Sequence, residues 1–263
     1  MAKIGFIGCG NMGGALARAA AKCPDNEVLV YDPMTEKAEA LQIEFGAKVV
    51  SAEEIASTAK YVVMGVKPQN IREVMGALQA SFAQNTGLVI VSMAAAVSID
   101  AVQEYAGGDY PVIRIMPNTP CMLGAGAVLY AVKGVSSQDE AAFLAAMQEA
   151  GEFFPLAEAL IDGAGALSGC GPAYFYLYAN GLAQGAEKLG VDRETAVRLA
   201  AQTMLGAGKM LLEYGDPIDL KNKVCSPGGT TLAGVAALEK GSLEEVAASA
   251  VDAAYVRTLE LKK

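Results

Sequence analysis

The sequence predicts an α/β fold, with an N-terminal Rossmann-type doubly wound sheet followed by an all-helical C-terminal domain. Two observations lead to this prediction. In the first half of the chain, short apolar strands alternate with helices, as is typical of parallel sheets covered on both faces. From about Leu156 this alternation stops, and the remaining apolar residues recur at helical spacing. We therefore expect two domains, residues 1–155 and residues 156–263.

The first domain begins with a short apolar strand around Ile4–Ile7, followed by a glycine turn and an alanine-rich helix. Ser51 and Ser98 are predicted N-caps of later helices. Gly46 is predicted to end the helix 35–45. The predicted strands are 27–31, 47–50, 61–66, 88–91, 111–116 and 127–133, and the helices between and after them include 35–45, 70–80 and 136–150.

The second domain is predicted to be four helices rich in alanine and glycine, 173–189, 192–213, 231–240 and 243–261. Asp192 is a suitable N-cap for the second of them. Small residues on the apolar faces allow helix backbones to approach closely. A domain this apolar and this short of aromatic residues is expected to cover its surface with a second subunit.

Composition excludes several classes of function. The 263 residues carry a net charge of −9 and are 53% hydrophobic, so binding to nucleic acid or to an anionic membrane surface is not expected. Apolar runs such as 88–97 are too short to span a bilayer, and the N-terminus lacks a secretory signal pattern. These features predict a cytoplasmic protein.

The chain contains no histidine, which excludes Ser-His-Asp and Cys-His nucleophile systems and the HExxH metal site. Its five cysteines are scattered without a C-x-x-C pair, so neither a zinc site nor a disulfide framework is expected. We predict no metal. The chemistry must come from carboxylates, lysines, hydroxyls, backbone dipoles or a cofactor.

The glycine turn has the spacing Gly8-x-Gly10-x-x-Gly13. In a dinucleotide site the first glycine makes the tight turn, the second lets the backbone approach a pyrophosphate, and the third lets the helix pack on the strand. The helix N-terminus then offers free N–H groups to the phosphates. The alternative is that the glycines only form a structural turn. The position of the motif between a strand and a helix favours the dinucleotide site.

Asp32 follows the second strand, 19 positions after Gly13. A carboxylate there accepts hydrogen bonds from ribose hydroxyls, which favours NAD over NADP. The equally weighted alternative is a turn-forming Asp-Pro at the end of a strand. Thr35 and Lys37 are close enough to assist a 2′-phosphate, so both cofactors stay open.

Three further loops follow predicted strands, at the edge where open α/β sheets bind ligands. They contain Val66-Lys67-Pro68, Ala94-Ala95 and Met116-Pro117-Asn118. A second glycine-rich helix start, Gly228-Gly229-Thr230-Thr231, offers successive backbone N–H groups for a carboxylate or phosphate. Here too an ordinary glycine-rich helix start is the alternative.

Five motifs, in this order and across essentially the whole chain, resemble Δ1-pyrroline-5-carboxylate reductase. They are residues 8–13, 66–69, 114–120, 168–174 and 226–231, of which the last is the most specific marker. The resemblance implies reduction of a cyclic imino acid, 1-pyrroline-5-carboxylate, to L-proline with NADPH or NADH, the last step of proline biosynthesis. It also implies a homo-oligomer, at least a dimer through the C-terminal helices. Asp32 departs from the pattern of members that prefer NADPH.

The resemblance also implies roles for individual residues. Thr231 would be the catalytic residue near the ring nitrogen, and Gly228, Gly229, Thr230 and Thr231 would bind the substrate. The cofactor-binding residues would be Gly8, Gly10, Asn11, Met12, Gly13, Asp32, Val66, Lys67, Pro68, Ala94, Ala95, Met116, Pro117 and Asn118.

Two alternatives remain at this stage. A 3-hydroxyacid dehydrogenase of similar layout would carry a catalytic lysine in the helix that opens the second domain, but residues 173–186 contain none. A non-catalytic dinucleotide-binding protein would not need the second anion cradle at 226–231.

Overall fold

The computed structural model describes residues 2–262. These form two compact units, one made of residues 2–170 with 254–262 and the other of Gly171–Ala253. The sequence-predicted boundary after residue 155 coincides with the end of the last strand. The following helix is grouped with the sheet because it packs on the neighbouring strands.

The first unit is built on one sheet of eight strands. All neighbours pair in parallel except β6 and β7, which are antiparallel, and the spatial order is β3-β2-β1-β4-β5-β6-β7-β8. The doubly wound sheet is thereby confirmed. The strands are β1 (Ala2–Ile7), β2 (Asn26–Tyr31), β3 (Lys48–Val49), β4 (Tyr61–Met64), β5 (Val89–Ser92), β6 (Val112–Met116), β7 (Gly126–Lys133) and β8 (Gly151–Pro155).

Helices on both faces of the sheet enclose two apolar cores. Leu16 and Phe143 lie in one core with Phe6 and Tyr61, while Phe82 lies in the other. Alternate strand residues point to opposite faces, so one strand feeds both cores. The helices are α1 (Asn11–Lys22), α2 (Thr35–Phe45), α3 (Ala52–Thr58), α4 (Ile71–Phe82), α5 (Ile99–Ala106), α6 (Ser137–Ala146) and α7 (Glu158–Ser168).

The predicted caps are confirmed. Ser51 accepts a hydrogen bond from the Glu54 N–H, and Ser98 accepts one from the Ala101 N–H. Gly46 follows α2 in the left-handed conformation, with φ 73°, where glycine avoids the clash of a β-carbon.

The sequence patterns missed or misplaced several elements. The predicted helix 136–150 is two pieces, because α6 ends at Ala146 and a separate 3₁₀ turn covers Gln148–Ala150. The predicted strand 61–66 ends at Met64. Neither β8 nor α7 was predicted. The β8 strand is an exposed edge with little apolar alternation, and α7 contains two glycines that weaken its helical pattern.

The second unit is helical, as predicted, and has a very small core. Within α8 and α9 the only buried residues are Gly171, Ala183, Ala196 and Ala200, and α10 to α12 bury none. Asp192 caps α9 by accepting from the Thr195 N–H. The helices are α8 (Gly171–Glu187), α9 (Arg193–Tyr214), α10 (Pro217–Val224, not predicted), α11 (Thr230–Lys240) and α12 (Leu243–Leu261), of which the part from Ala254 onward is grouped with the first unit.

Within residues 2–262, no helix combines the length and the hydropathy needed to cross a membrane.

Candidate active site

The first glycine turn lies where the sheet changes direction, because β1 has β2 on one side and β4 on the other. Open α/β sheets bind ligands at such a switch point. Gly8 has φ +101° and donates its N–H to the Tyr31 carbonyl at 2.7 Å. A β-carbon on Gly13 would collide with the Gly8 carbonyl oxygen. Glycine at both positions is therefore required by the chain's own packing.

Gly65 is a third member of this contact, and the motif spacing alone did not reveal it. A β-carbon there would also collide with the Gly8 carbonyl, and the Gly65 N–H donates to the Ile7 carbonyl at 2.8 Å. A glycine at the end of an apolar strand is the signal that could have found it, because such glycines mark close approach of another backbone.

Gly10 is different, because nothing in the described chain requires a glycine there. It has an ordinary φ of −65°, and no atom of residues 2–262, its two chain neighbours aside, lies within 4 Å of an ideal β-carbon. It precedes α1, whose N-terminus has neither a capping side chain nor an acidic residue in its first turn. Open space above a glycine and an uncapped helix N-terminus fit the pyrophosphate of a dinucleotide. Asn11 and Met12 begin the same turn.

Asp32 is buried beneath this turn and ties it to the end of β2. One carboxylate oxygen accepts from the Cys9 N–H at 2.7 Å, and the other accepts from the Met34 N–H at 2.9 Å. Burial and the nearby Asp32 charge raise the pKa of the Cys9 thiol to about 12. Cys9 therefore stays neutral and adds no negative charge to a phosphate site.

The loops after β4 and β5 lie at the same carboxyl edge of the sheet as Gly8. Lys67 and Pro68 are exposed at the start of a 3₁₀ turn, and Val66 is half-buried. Ala94 is buried and Ala95 half-buried. The next residue, Ala96, has φ +63°, an uncommon conformation for a residue with a β-carbon.

The loop after β6 is held by Asn118, whose side chain both donates and accepts a hydrogen bond within the protein. Its Nδ2 donates to the Ser168 carbonyl at 3.0 Å, and its Oδ1 accepts from the Ala127 N–H at 3.0 Å. Pro117 is buried and Met116 half-buried. The Asn118 amide thus joins two sequence motifs, 114–120 and 168–174, which sequence spacing alone could not relate.

The second glycine-rich segment precedes α11 in the helical unit. Gly228 has φ +70°, and the Gly229 N–H donates to the Ser226 carbonyl at 2.9 Å, so that N–H is not free for a ligand. Gly229 precedes α11 without a side-chain cap, and Thr230 and Thr231 are exposed in the first turn. The N–H groups of the first turn of α11 have no intrahelical partner, and such groups suit an anion.

Across the described residues, no three His, Cys, Asp or Glu side chains are grouped so that they could hold a metal ion.

A Rossmann unit with an uncapped, glycine-rich helix start, followed by a helical unit, defines the class of NAD(P)H-dependent oxidoreductases. Comparisons with known proteins support this class. Residues 3–96 match the family model described as NADP oxidoreductase coenzyme F420-dependent. Residues 158–261 match the model described as pyrroline-5-carboxylate reductase dimerisation.

Relatives over the full length identify the family. The chain is 39% identical to pyrroline-5-carboxylate reductase 3 of Danio rerio, over 98% of this chain and 91% of that protein. It is 35% identical to the pyrroline-5-carboxylate reductase of Escherichia coli K12, over 99% of this chain and 98% of that protein. The chain therefore belongs to the pyrroline-5-carboxylate reductase family, as its motifs predicted.

A solved structure agrees with this assignment. The pyrroline carboxylate reductase of Plasmodium falciparum, determined with NADP bound, superposes with a TM-score of 0.88 at 30% identity. The superposition covers 100% of this chain and 98% of that one. The predicted order of a Rossmann domain followed by a helical, dimerising domain is confirmed.

Proposed function

We propose that this chain reduces 1-pyrroline-5-carboxylate to L-proline, the last step of proline biosynthesis. The observation that carries the proposal is the pair of uncapped, glycine-rich helix starts, at α1 and at α11, in a chain of this family. When bound, NADPH or NADH supplies the hydride. The protein has to bind and orient both molecules.

The turn at Gly8, Gly10 and Gly13 would hold the pyrophosphate, with the N–H groups of Asn11 and Met12 directed at it. The adenosine ribose would lie near Asp32. Side chains and backbone of the strand-end loops would form the wall around the nicotinamide. Those loop residues are Val66, Lys67, Pro68, Ala94, Ala95, Met116, Pro117 and Asn118.

The turn before α11 would hold the substrate carboxylate. Because the Gly229 N–H is used within the turn, the free donors are the N–H groups of Thr230 and Thr231. Gly228 and Gly229 shape the turn: Gly228 is in the left-handed region, and a β-carbon on Gly229 would lie 3.0 Å from the Ser226 carbonyl oxygen. The positive end of α11 favours the carboxylate.

Thr231 would donate a hydrogen bond to the ring nitrogen as the imine carbon is reduced. A histidine acid is absent from the chain, and the imine is basic enough to take up a proton without a strong enzyme acid. The Thr231 hydroxyl makes no hydrogen bond to any residue within 2–262, so it is free for a ligand. Residues 156–263 would act as the dimerisation and substrate-binding domain, in a cytoplasmic homodimer.

The test of the function is oxidation of NADPH and, separately, of NADH by the purified chain with pyrroline-5-carboxylate, followed by absorbance, with proline identified as the product. The proposal would be contradicted if cofactor oxidation yielded no proline. It would also be contradicted if a 3-oxoacid, the oxidised form of a 3-hydroxyacid, replaced the imine equally well.

Thr231 can be tested by removing or keeping its hydroxyl. We expect Thr231→Ala to lower kcat by roughly 10- to 100-fold, because the hydroxyl is worth about 1.4–2.8 kcal/mol more in the transition state than in the ground state. Thr231→Ser keeps the hydroxyl and should retain most of kcat. Steady-state kinetics of both variants gives the two kcat values. Equal kcat in Thr231→Ala and Thr231→Ser would show that the Thr231 hydroxyl takes no part in the reaction.

A further inference from the structure

Helix α7 contacts β6 and its continuation at three successive points. Arg114 forms a buried ion pair with Asp162, the Met116 side chain lies over Gly165, and Asn118 donates to the Ser168 carbonyl. Residues 114, 116 and 118 alternate on one face of an extended strand, while 162, 165 and 168 recur at the three-residue spacing of one helix face. We call these three contacts the α7 ladder.

The same helix also holds the loop after β5. Glu158, one turn before Asp162, accepts a hydrogen bond from the Ile99 N–H at 2.7 Å. Ile99 is the first residue of α5, so this contact fixes the end of the segment that contains Ala94 and Ala95. The Glu158 carboxylate also lies 3.5 Å from the Arg114 guanidinium.

We propose that α7 is the positioning element for the two loops expected to face the nicotinamide, and that Gly165 is a positioning residue for hydride transfer. This inference rests on the proposed function, because it assumes that residues 94–95 and 116–118 border the nicotinamide. Buried ion pairs are poor stabilisers compared with apolar packing, and the Nε of Arg114 lacks a hydrogen-bond partner in residues 2–262. A role in fixing the position of the loop after β6 explains the buried Arg114–Asp162 pair better than a gain in folding stability does.

Gly165 is the most sensitive point of the ladder. A β-carbon there would lie 3.2 Å from Cγ of Met116, closer than an ordinary van der Waals contact. Alanine would therefore require the Met116 side chain, at the end of β6, to move by a few tenths of an ångström away from α7. Gly163, two residues earlier in the same helix, offers a matched control, because among residues 2–262 its β-carbon would meet only the Tyr255 ring, at 3.9 Å.

The test compares Gly165→Ala with Gly163→Ala. Alanine favours the helix at both positions, so Gly163→Ala should unfold at the wild-type temperature or above it, whereas Gly165→Ala loses part of this gain to the close contact with Met116. Only Gly165→Ala should slow single-turnover hydride transfer, by roughly 10- to 100-fold, since small misplacements of reacting groups have effects of that size. It should also weaken NADPH binding while leaving the binding of adenosine 2′,5′-bisphosphate, which lacks the nicotinamide half, unchanged.

A second pair tests the loop after β5. Glu158→Ala removes the acceptor for the Ile99 N–H, whereas Glu158→Gln keeps an amide oxygen there. We expect the transfer rate to fall in the Ala variant and to be largely restored in the Gln variant. Equal rates and equal NADPH affinities in Gly165→Ala and Gly163→Ala would overturn the inference.

The two proposals fail in different ways. If the wild-type chain binds NADPH but does not reduce pyrroline-5-carboxylate, the proposed function fails, and the comparison of NADPH with adenosine 2′,5′-bisphosphate still tests the ladder. If the wild-type chain is active and both glycine variants match it, the ladder proposal fails alone.

Discussion

Single residues at the carboxyl edge of the sheet have more than one task, and Asp32 shows this most clearly. From the sequence it was either a ribose acceptor or a turn residue. In the structure its two oxygens accept from the N–H groups of Cys9 and Met34, and only 7% of the residue is exposed. It holds the glycine turn against β2. We propose that its negative charge also lies close to the position of a 2′-phosphate.

These two effects of Asp32 can be separated by substitution. Asp32→Asn removes the charge but keeps one acceptor, whereas Asp32→Ser also removes most of the support of the turn. We expect both variants to raise the ratio of kcat/KM for NADPH over NADH by roughly 10-fold, because the charge no longer repels the phosphate. Asp32→Ser should also lower kcat/KM for NADPH and kcat/KM for NADH by a common factor, because the glycine turn loses its support. A ratio unchanged in both variants would leave Asp32 with the structural role only.

At the scale of elements, α7 connects parts of the first unit that are far apart in sequence. Asp162 accepts from Arg114 on β6 and, with its other oxygen, from Lys262 at 2.6 Å, near the C-terminus. Burial alone would raise the pKa of the Asp162 carboxyl. The hydrogen bond from Lys262 and the Arg114 charge outweigh it, so the pKa lies below the ordinary value of 3.8.

This lowered pKa predicts how stability depends on pH. A carboxylate with a depressed pKa contributes its stability fully above the unfolded value and loses it as the pH falls through the folded value. We expect Asp162→Asn to cost roughly 3 kcal/mol at pH 7, because Arg114 loses its buried counter-charge. The cost should be the same at pH 5 and should begin to shrink below the ordinary value of 3.8, where the unfolded chain takes up a proton at Asp162 while the folded chain keeps the charge down to its lower pKa.

Urea unfolding of wild type and variant across this pH range measures the difference. Asp25→Asn, an exposed substitution, is the control and should change stability by less than about 0.5 kcal/mol at every pH. A cost for Asp162→Asn that persists undiminished at pH 3 would mean that the Asp162 charge is not the source of the stability.

At the scale of the whole molecule, the second unit buries too little to be stable by itself. Large side chains such as Leu177 and Leu212 are 73% and 80% exposed, and the helices share only a few buried alanines. Small cores of this kind need a partner. Residues 158–261 match the pyrroline-5-carboxylate reductase dimerisation model, and we infer that a second copy of the chain covers these exposed apolar side chains.

We therefore predict that the purified protein has at least twice the chain mass at micromolar concentration. Leu177→Glu and Leu212→Glu place a charge on the helical unit and should shift it toward monomer. Ile43→Glu, on the sheet unit, changes a residue that is 85% exposed and should leave the mass unchanged. Light scattering coupled to gel filtration measures this. A monomeric wild type, or equal behaviour of all three variants, would contradict the prediction.

The sequence by itself determined the architecture and the family. Periodicity separates the sheet from the helices, because strands and helices differ in their apolar spacing. Local chemistry located the caps at Ser51, Ser98 and Asp192, and glycine spacing located the turn at residues 8–13. These features depend on interactions among a few neighbouring residues, so they can be predicted from the sequence. The edge strand β8 and the glycine-containing α7 have weak local patterns and were missed.

Only the tertiary structure decided which motifs support each other. It shows that Gly65 is part of the turn at Gly8, that Asp32 faces the Cys9 N–H, and that Asn118 joins β6 to the end of α7. It also shows that the Gly229 N–H is already used. Each of these contacts depends on how separate segments approach one another in space. That approach is a product of packing the whole sheet, and spacing along the chain does not encode it.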